Sequence, residues 1–292
     1  MMNYLKTLCL SLLILLSISS CKKTELETIN GNQAPPDTSI ESVLYEDYVN
    51  KTYILVLGRE PSALEFQNGV DSLKAHLLDE ASRYSFLNTV FSLSDYKWRQ
   101  VEKWRIELLS VVDSNDVATQ IAIFDFILAD STFQAFWPQL IYENQRLDSL
   151  YTASYDYVTG AISIRKMQER MINNFFYDQI NMGPDNFVIA TFPHFLDRNP
   201  TAMEQSSSVS MINGNNAVLF LTAGASKDDF LSIFFSSDDY FEGAVRRVYN
   251  DYLLREPVSL EMSTASLKYK NTLNFESLQK DVLATDEFIG IN

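Results

Sequence analysis

One spacing occurs three times in this chain, and it constrains the fold more than any other feature. Tyr53-x3-Leu57-Gly58-Arg59-Glu60-Pro61-x3-Glu65 matches Phe192-x3-Leu196-Asp197-Arg198-Asn199-Pro200-x3-Glu204. It matches again Tyr249-x3-Leu253-Leu254-Arg255-Glu256-Pro257-x3-Glu261. Self-similarity of this kind marks a chain assembled from copies of one supersecondary unit. The aromatic and the leucine, six and two residues before the arginine, share one face of a helix, and the arginine suits the negative end of the helix dipole. Proline then stops the helix, and Ser62-x-x-Glu65 and Thr201-x-x-Glu204 read as capping boxes that open the next one. In the third copy Val258 occupies the cap position, so a weaker start, or one shifted to Ser259, is expected.

A second signature, apolar-small-x-Ser/Asp-polar-aromatic, occurs at Phe91–Tyr96, Leu128–Phe133, Phe235–Tyr240 and Leu283–Phe288. Ser94, Ser131, Asp238 and Asp286 are the expected N-caps, with Asp95, Asp239 and Glu287 in a first turn that favours acids. The implied unit is a helix, an Arg-x-Pro turn, a second helix, a short third helix and a capped start. Units fall at about 45–96, 187–240 and 240–288, with a degenerate one at about 96–133 that lacks the arginine turn. Apolar residues recur at helical spacing, no stretch alternates with period two, and there are only 9 Gly and 8 Pro in 292 residues. The expected fold class is all-α, a bundle of three to four degenerate helix-turn-helix units. Its regions are 41–133, 187–292 and, between them, 134–186, which matches no copy. There, Phe136, Trp137, Leu140 and Ile141, then Met167, Met171, Phe175 and Phe176, predict two helices joined through Tyr151–Gly160.

The first residues predict an address. Lys6 precedes an apolar run from Leu8 to Ile18, which has the length of a signal-peptide core and is too short to span a bilayer. Ile18-Ser19-Ser20-Cys21 resembles the lipobox of bacterial lipoproteins. The resemblance implies removal of 1–20, acylation of Cys21, and a tether over 21–40 that is rich in turn residues. Cys9 would leave with the signal, so no disulfide is expected. The Lys22-Lys23-Thr24-Glu25 start is similar to that of Bacteroidetes-type lipoproteins, and Lys after the cysteine favours, by that analogy, the outer membrane.

The segments Leu57-Gly58-Arg59-Glu60-Pro61 and Ser94-Asp95-Tyr96 resemble helical families of bacterial secreted and surface proteins that carry a Leu-Gly-Arg-x-Pro turn. Tyr96-Lys97-Trp98-Arg99-x3-Lys103-Trp104 is similar to helical domains of large planctomycete secreted proteins. The resemblance spans about half of the chain after the signal. It implies a helical fold and no catalytic residues, since those families share none.

Composition removes several function classes. The net charge is −15, which disfavours nucleic acid and anionic lipid surfaces as partners. Two His and two Cys leave no multi-His or multi-Cys metal site. No Gly-rich phosphate loop, Gly-x-Ser-x-Gly elbow or His-Glu-x-x-His is present, and no cofactor is expected. His76 with Asp79 and Glu80 reads as a surface histidine beside acids, and His194 as a packing residue. Asp113-Ser114-Asn115-Asp116 and Asp228-Asp229 read as helix caps, not calcium loops.

Arg59, Arg198 and Arg255 are expected to pair with Glu65, Glu204 and Glu261. Trp98, Trp104 and Trp137 are the candidate binding aromatics, with core packing as the competing role. The expected function is a non-enzymatic, lipid-anchored envelope protein that binds another surface protein or a glycan on stacked helical units. The alternative is an extracellular glycan hydrolase with paired carboxylates, such as Asp238-Asp239, as acid and base. A glycan-capture lipoprotein of the tetratricopeptide type fits less well, because that repeat pattern is missing.

Overall fold

A computed structural model describes residues 38–291; the signal, Cys21 and the tether up to residue 37 lie outside the described residues, and residues 38–40, expected in the tether, already belong to the first helix. The chain is all-α, with one two-stranded antiparallel hairpin. Residues Ile40–Asn292 form one compact unit around one contiguous core, running from Tyr45 to Ile289.

The first unit consists of α1 (Thr38–Leu57), α2 (Ala63–Ala75) and α3 (Glu80–Phe91), and it leads into α4 (Ser94–Leu109). Next come α5 (Ser114–Leu128), a 3-10 helix (Ser131–Phe136), α6 (Trp137–Thr159), α7 (Ile164–Ile172) and α8 (Phe175–Ile180). The second unit consists of α9 (Pro184–Leu196), α10 (Ala202–Ile212), the hairpin β1 (Ala217–Leu219) and β2 (Thr222–Gly224), and α11 (Lys227–Ser236). The third is α12 (Asp238–Leu253), α13 (Ser259–Thr272), α14 (Phe275–Leu283) and α15 (Asp286–Ile289).

All three arginine turns share a backbone device. Helices α1, α9 and α12 each end at a leucine, and the next residue is left-handed: Gly58 at φ 72°, Asp197 at 54° and Leu254 at 55°. Glycine adopts that conformation freely, aspartate tolerates it, and leucine is strained in it. Ser62 and Thr201 complete reciprocal capping boxes with Glu65 and Glu204. In the third copy the cap stays at Val258 and does not move to Ser259. Only half of the box forms there, with the Val258 N–H donating to Glu261 Oε2 at 2.8 Å, because valine has no side-chain acceptor.

The second signature needs correction by one residue. The N-caps are Leu93, Asp130, Ser237 and Thr285, so Ser94, Ser131, Asp238 and Asp286 are the first helical residues. Tyr96, Tyr240 and Phe288 are buried, but Phe133 is exposed and follows a 3-10 start, so the fourth copy is not equivalent to the others. The predicted joint at Tyr151–Gly160 is also displaced. Helix α6 runs on through Thr159, is ended by left-handed Gly160, and the second helix breaks at Asn173-Asn174 into α7 and α8. Asn174 caps α8 through the Tyr177 N–H and donates to the Met171 carbonyl, which explains the break.

The first and last units close on each other. Tyr48 donates to the Leu283 carbonyl at 3.1 Å, Tyr84 to Asp281 at 2.8 Å, and Tyr96 to Gln279, which in turn donates to Tyr252. Helices α9 and α12 cross in backbone contact at Gly243: a Cβ built there would lie 2.1 Å from the Phe195 carbonyl oxygen.

Candidate functional site

The repeated arginines are clamps between elements. Arg59 donates two bonds to Glu65, at 2.9 and 2.8 Å, and a third to Asp95 at 2.7 Å. Arg198 makes the same bidentate pair with Glu204 and also pairs with Asp239. Arg255 pairs with Glu261 and, at 2.6 Å, with Glu287. In each copy the guanidinium also lies over the aromatic ring six residues earlier, Tyr53, Phe192 or Tyr249, at 5.3–5.5 Å.

Hydrogen bonds from arginine, chiefly, hold Glu65 and Glu204 down to about 2, and hold Glu261 below the ordinary carboxylate range. Pro61, Pro200 and Pro257 sit in the loops between each clamp and the following helix. Each clamp ties a turn to the first turn of a helix 32 to 41 residues later. Each guanidinium is held by two carboxylates of the protein itself, so these arginines are framework, not an anion site.

The candidate tryptophans do not assemble. Trp104 is 3% exposed, stacked on Phe195 at 5.4 Å and covered by Arg247 at 4.6 Å, so its ring is core and unavailable to a ligand. Trp98 is half exposed on α4. Trp137 opens α6 with its indole N–H buried and without a hydrogen-bond partner. His76 ends α2, while Asp79 caps α3 through the Ser82 N–H, and no group of three metal-ligating side chains occurs among the described residues.

His194 accepts or donates one bond with Tyr177 at 3.1 Å, and burial pulls its pKa down against the opposing pull of Glu107. Asp113 caps α5 in a box with Asp116. At α11 the cap is Ser226, with Asp229 at the third helical position, rather than Asp228-Asp229. Asp238 pairs with Lys270 and Asp239 with Arg198, so they face different partners and form no acid–base pair.

The site that sequence reading missed lies where the degenerate unit at 96–133 meets the segment that matches no copy. A cavity of about 450 Å³ opens between α5, the 3-10 helix, α6 and α8. Its walls are Phe124, Ile127, Phe133, Phe136, Leu140 and Phe175; Gln139, Glu143, Asp178 and Gln179 supply the polar part. Two of the lining aromatics stay exposed, Phe136 at 61% and Phe133 at 43%. The 3-10 geometry causes part of this, because residues three apart eclipse and Phe133 and Phe136 then point the same way.

Behind the apolar wall four charged groups are packed together. Asp178 accepts from Arg146 at 2.5 Å and, through its other oxygen, from Lys227 at 2.5 Å. Glu143 has only a long 3.4 Å bond from Arg146, and its second oxygen is buried without a partner. Burial therefore raises the Glu143 pKa above its ordinary value despite Arg146. Burial likewise lowers Lys227, with Asp178 opposing.

A sequence signal for the site existed: the unit ending at Leu128–Phe133 lacks the arginine turn, and the aromatic that the other copies bury is left outside there. A family model, a curated protein and a solved structure matching this chain were each sought, and none was found.

Proposed function

We propose that this chain is a non-enzymatic binding protein of the cell envelope, tethered through lipid on Cys21. Its clamped repeats serve as a rigid scaffold, and its inserted helices grip a surface partner by an apolar anchor. The observation that carries this reading is the cavity with its exposed aromatic mouth. Its volume lies in the range of ligand pockets, about 300–1,000 Å³, and an exposed apolar patch of this kind marks interaction surfaces. Six apolar walls and few polar groups favour a hydrophobic side chain over a sugar, whose hydroxyls need many partners.

The test is a cross-linked pull-down from the native envelope, with proteins and glycans both identified, using the wild-type chain and a Leu140→Trp variant whose cavity is filled. Recovery of one stoichiometric partner that the filled variant loses is expected. Equal recovery with both chains would contradict the reading.

A hydrolase is the second reading, because Glu143, held towards its protonated form, and Asp178 line one cavity, as an acid and a second carboxylate would. Against it, both oxygens of Asp178 are held by cations, which suits a counter-ion better than a base. Turnover of envelope polysaccharide that disappears in Glu143→Gln would favour this second reading.

A further inference from the structure

From Ile106 to Gln145 the sequence contains no Lys or Arg, yet it contains Glu107, Asp113, Asp116, Asp125, Asp130 and Glu143. This stretch builds the cavity mouth. Asp116, Ile123 and Asp130 recur at seven-residue spacing, which places them along one face of α5 and its end, with Phe126 beside them. Ile123 and Phe126 on that face are exposed, as is Ile141 on α6.

Glu107 is neutralised by Arg247 at 2.8 Å. Among the described residues, Asp113, Asp116, Asp125 and Asp130 form no ion pair; their oxygens accept only from backbone N–H, Thr132 or Asn144. The cations on the cavity's Asp178, buried Arg146 and half-buried Lys227, are committed to it. The mouth is thus an apolar patch flanked by uncompensated negative charge.

We infer that the partner docks here through a basic segment, an apolar side chain seated in the cavity and flanking Lys or Arg on Asp116 and Asp130. This rests on the binding reading above and gives the partner a chemistry. Charge complementarity selects it. A second copy would bring the same acids face to face, an anionic lipid surface would be repelled, and a neutral apolar segment would leave the acids without a counterpart.

The experiment uses the full-length chain and three fluorescent peptides that share one apolar spacing, with Lys and Arg, Gln, or Glu at the intervening positions. Binding is followed by anisotropy at low and high salt. The basic peptide is expected to bind best, with an affinity that falls as salt screens the contact. Asp116→Asn with Asp130→Asn should weaken it about tenfold and flatten the salt dependence. Asn keeps the acceptor at both positions, so the fold is retained. Glu60→Asn with Asp71→Asn removes the same charge from the first repeat unit and should change little.

Equal loss from both double variants would overturn the inference, because it would reduce binding to net charge. If basic and Gln peptides bind alike and Phe136→Ser abolishes both, the charge inference fails while the binding reading stands. If no peptide responds to Phe136→Ser, both fail. Dimerisation lost in Phe136→Ser, or capture on anionic vesicles lost in the same variant, would also overturn it.

Discussion

Replacing Arg198 by methionine should cost stability in a way that depends on pH. Glu204 is held near 2 instead of its ordinary 4.5, first by its hydrogen bonds from Arg198 and also by the N–H and hydroxyl of Thr201. That displacement corresponds to roughly 3 kcal/mol, at about 1.4 kcal/mol per pH unit. The Glu204 side chain is 18% exposed, so solvent screening removes little of it. Thr201 survives the substitution, which leaves about 2 kcal/mol to Arg198 by the same conversion.

Because the folded value lies below the unfolded one, the unfolded chain takes up the proton first as pH falls. The contribution is complete above 4.5 and disappears as pH falls towards 2. Methionine retains an apolar stem over the Phe192 ring, so the substitution mainly removes charge. Urea unfolding followed by circular dichroism should show the variant about 2 kcal/mol less stable at neutral pH, and less than about 1 kcal/mol less stable near pH 2. An equal deficit at both pH values would refute the argument and attribute the effect to packing on Phe192.

Leu254→Gly should raise stability by about 1 kcal/mol, because it relieves a left-handed leucine that is exposed and packs little; a lower urea midpoint would count against the strain. Gly243→Ala should destabilise by about 2 kcal/mol or more, since helix propensity returns only about 1 kcal/mol against a backbone clash that no rotamer relieves. A rise in thermal midpoint would show that α9 and α12 can separate without cost. Glu143→Gln should stabilise the fold at neutral pH and have less effect near pH 4. The sign follows from a folded value above the unfolded one: the carboxyl opposes folding once pH exceeds its ordinary range, and not below. Unfolding midpoints at the two pH values check it, and a loss at neutral pH would mean that the Arg146 contact outweighs desolvation.

The helical class and the three turns are readable from residues because their determinants are local: proline after arginine, a capping acid three positions after Ser62 or Thr201, an aromatic one and a half turns earlier. The partner of each arginine is only half readable. Glu65 lies six residues from Arg59, while Asp95 lies 36 away and belongs to a different signature. The two signatures recur in step because one supplies the cation and the other its second anion, and only the fold shows that they meet.

The caps were displaced by one residue because Ser237 and Thr285 accept the N–H groups of Tyr240 and Phe288, while the acids that follow them, Asp238 and Asp286, are paired with Lys270 and Arg83. Trp104 and Trp98 lie six residues apart on one helix, yet one is core and one is surface. Six residues place them on different faces, Trp104 in the buried row of Tyr96, Gln100 and Leu108, where Phe195 and Arg247 cover it. The cavity had no motif, since its walls come from four elements divided between the degenerate unit at 96–133 and the segment 134–186 that matches no copy. Its trace in the sequence is negative: a stretch without cations and a signature whose aromatic is never buried.

The most direct test places a photo-crosslinking amino acid at position 136, at the cavity mouth, and in parallel at 267, on exposed α13, in cells that carry the full chain. Proteins are then resolved after irradiation. A discrete adduct from position 136 and none from position 267, lost when Leu140→Trp fills the cavity, is the predicted result. Identical adducts from both positions, or an adduct from 136 that persists in the filled variant, would contradict a partner gripped at this mouth.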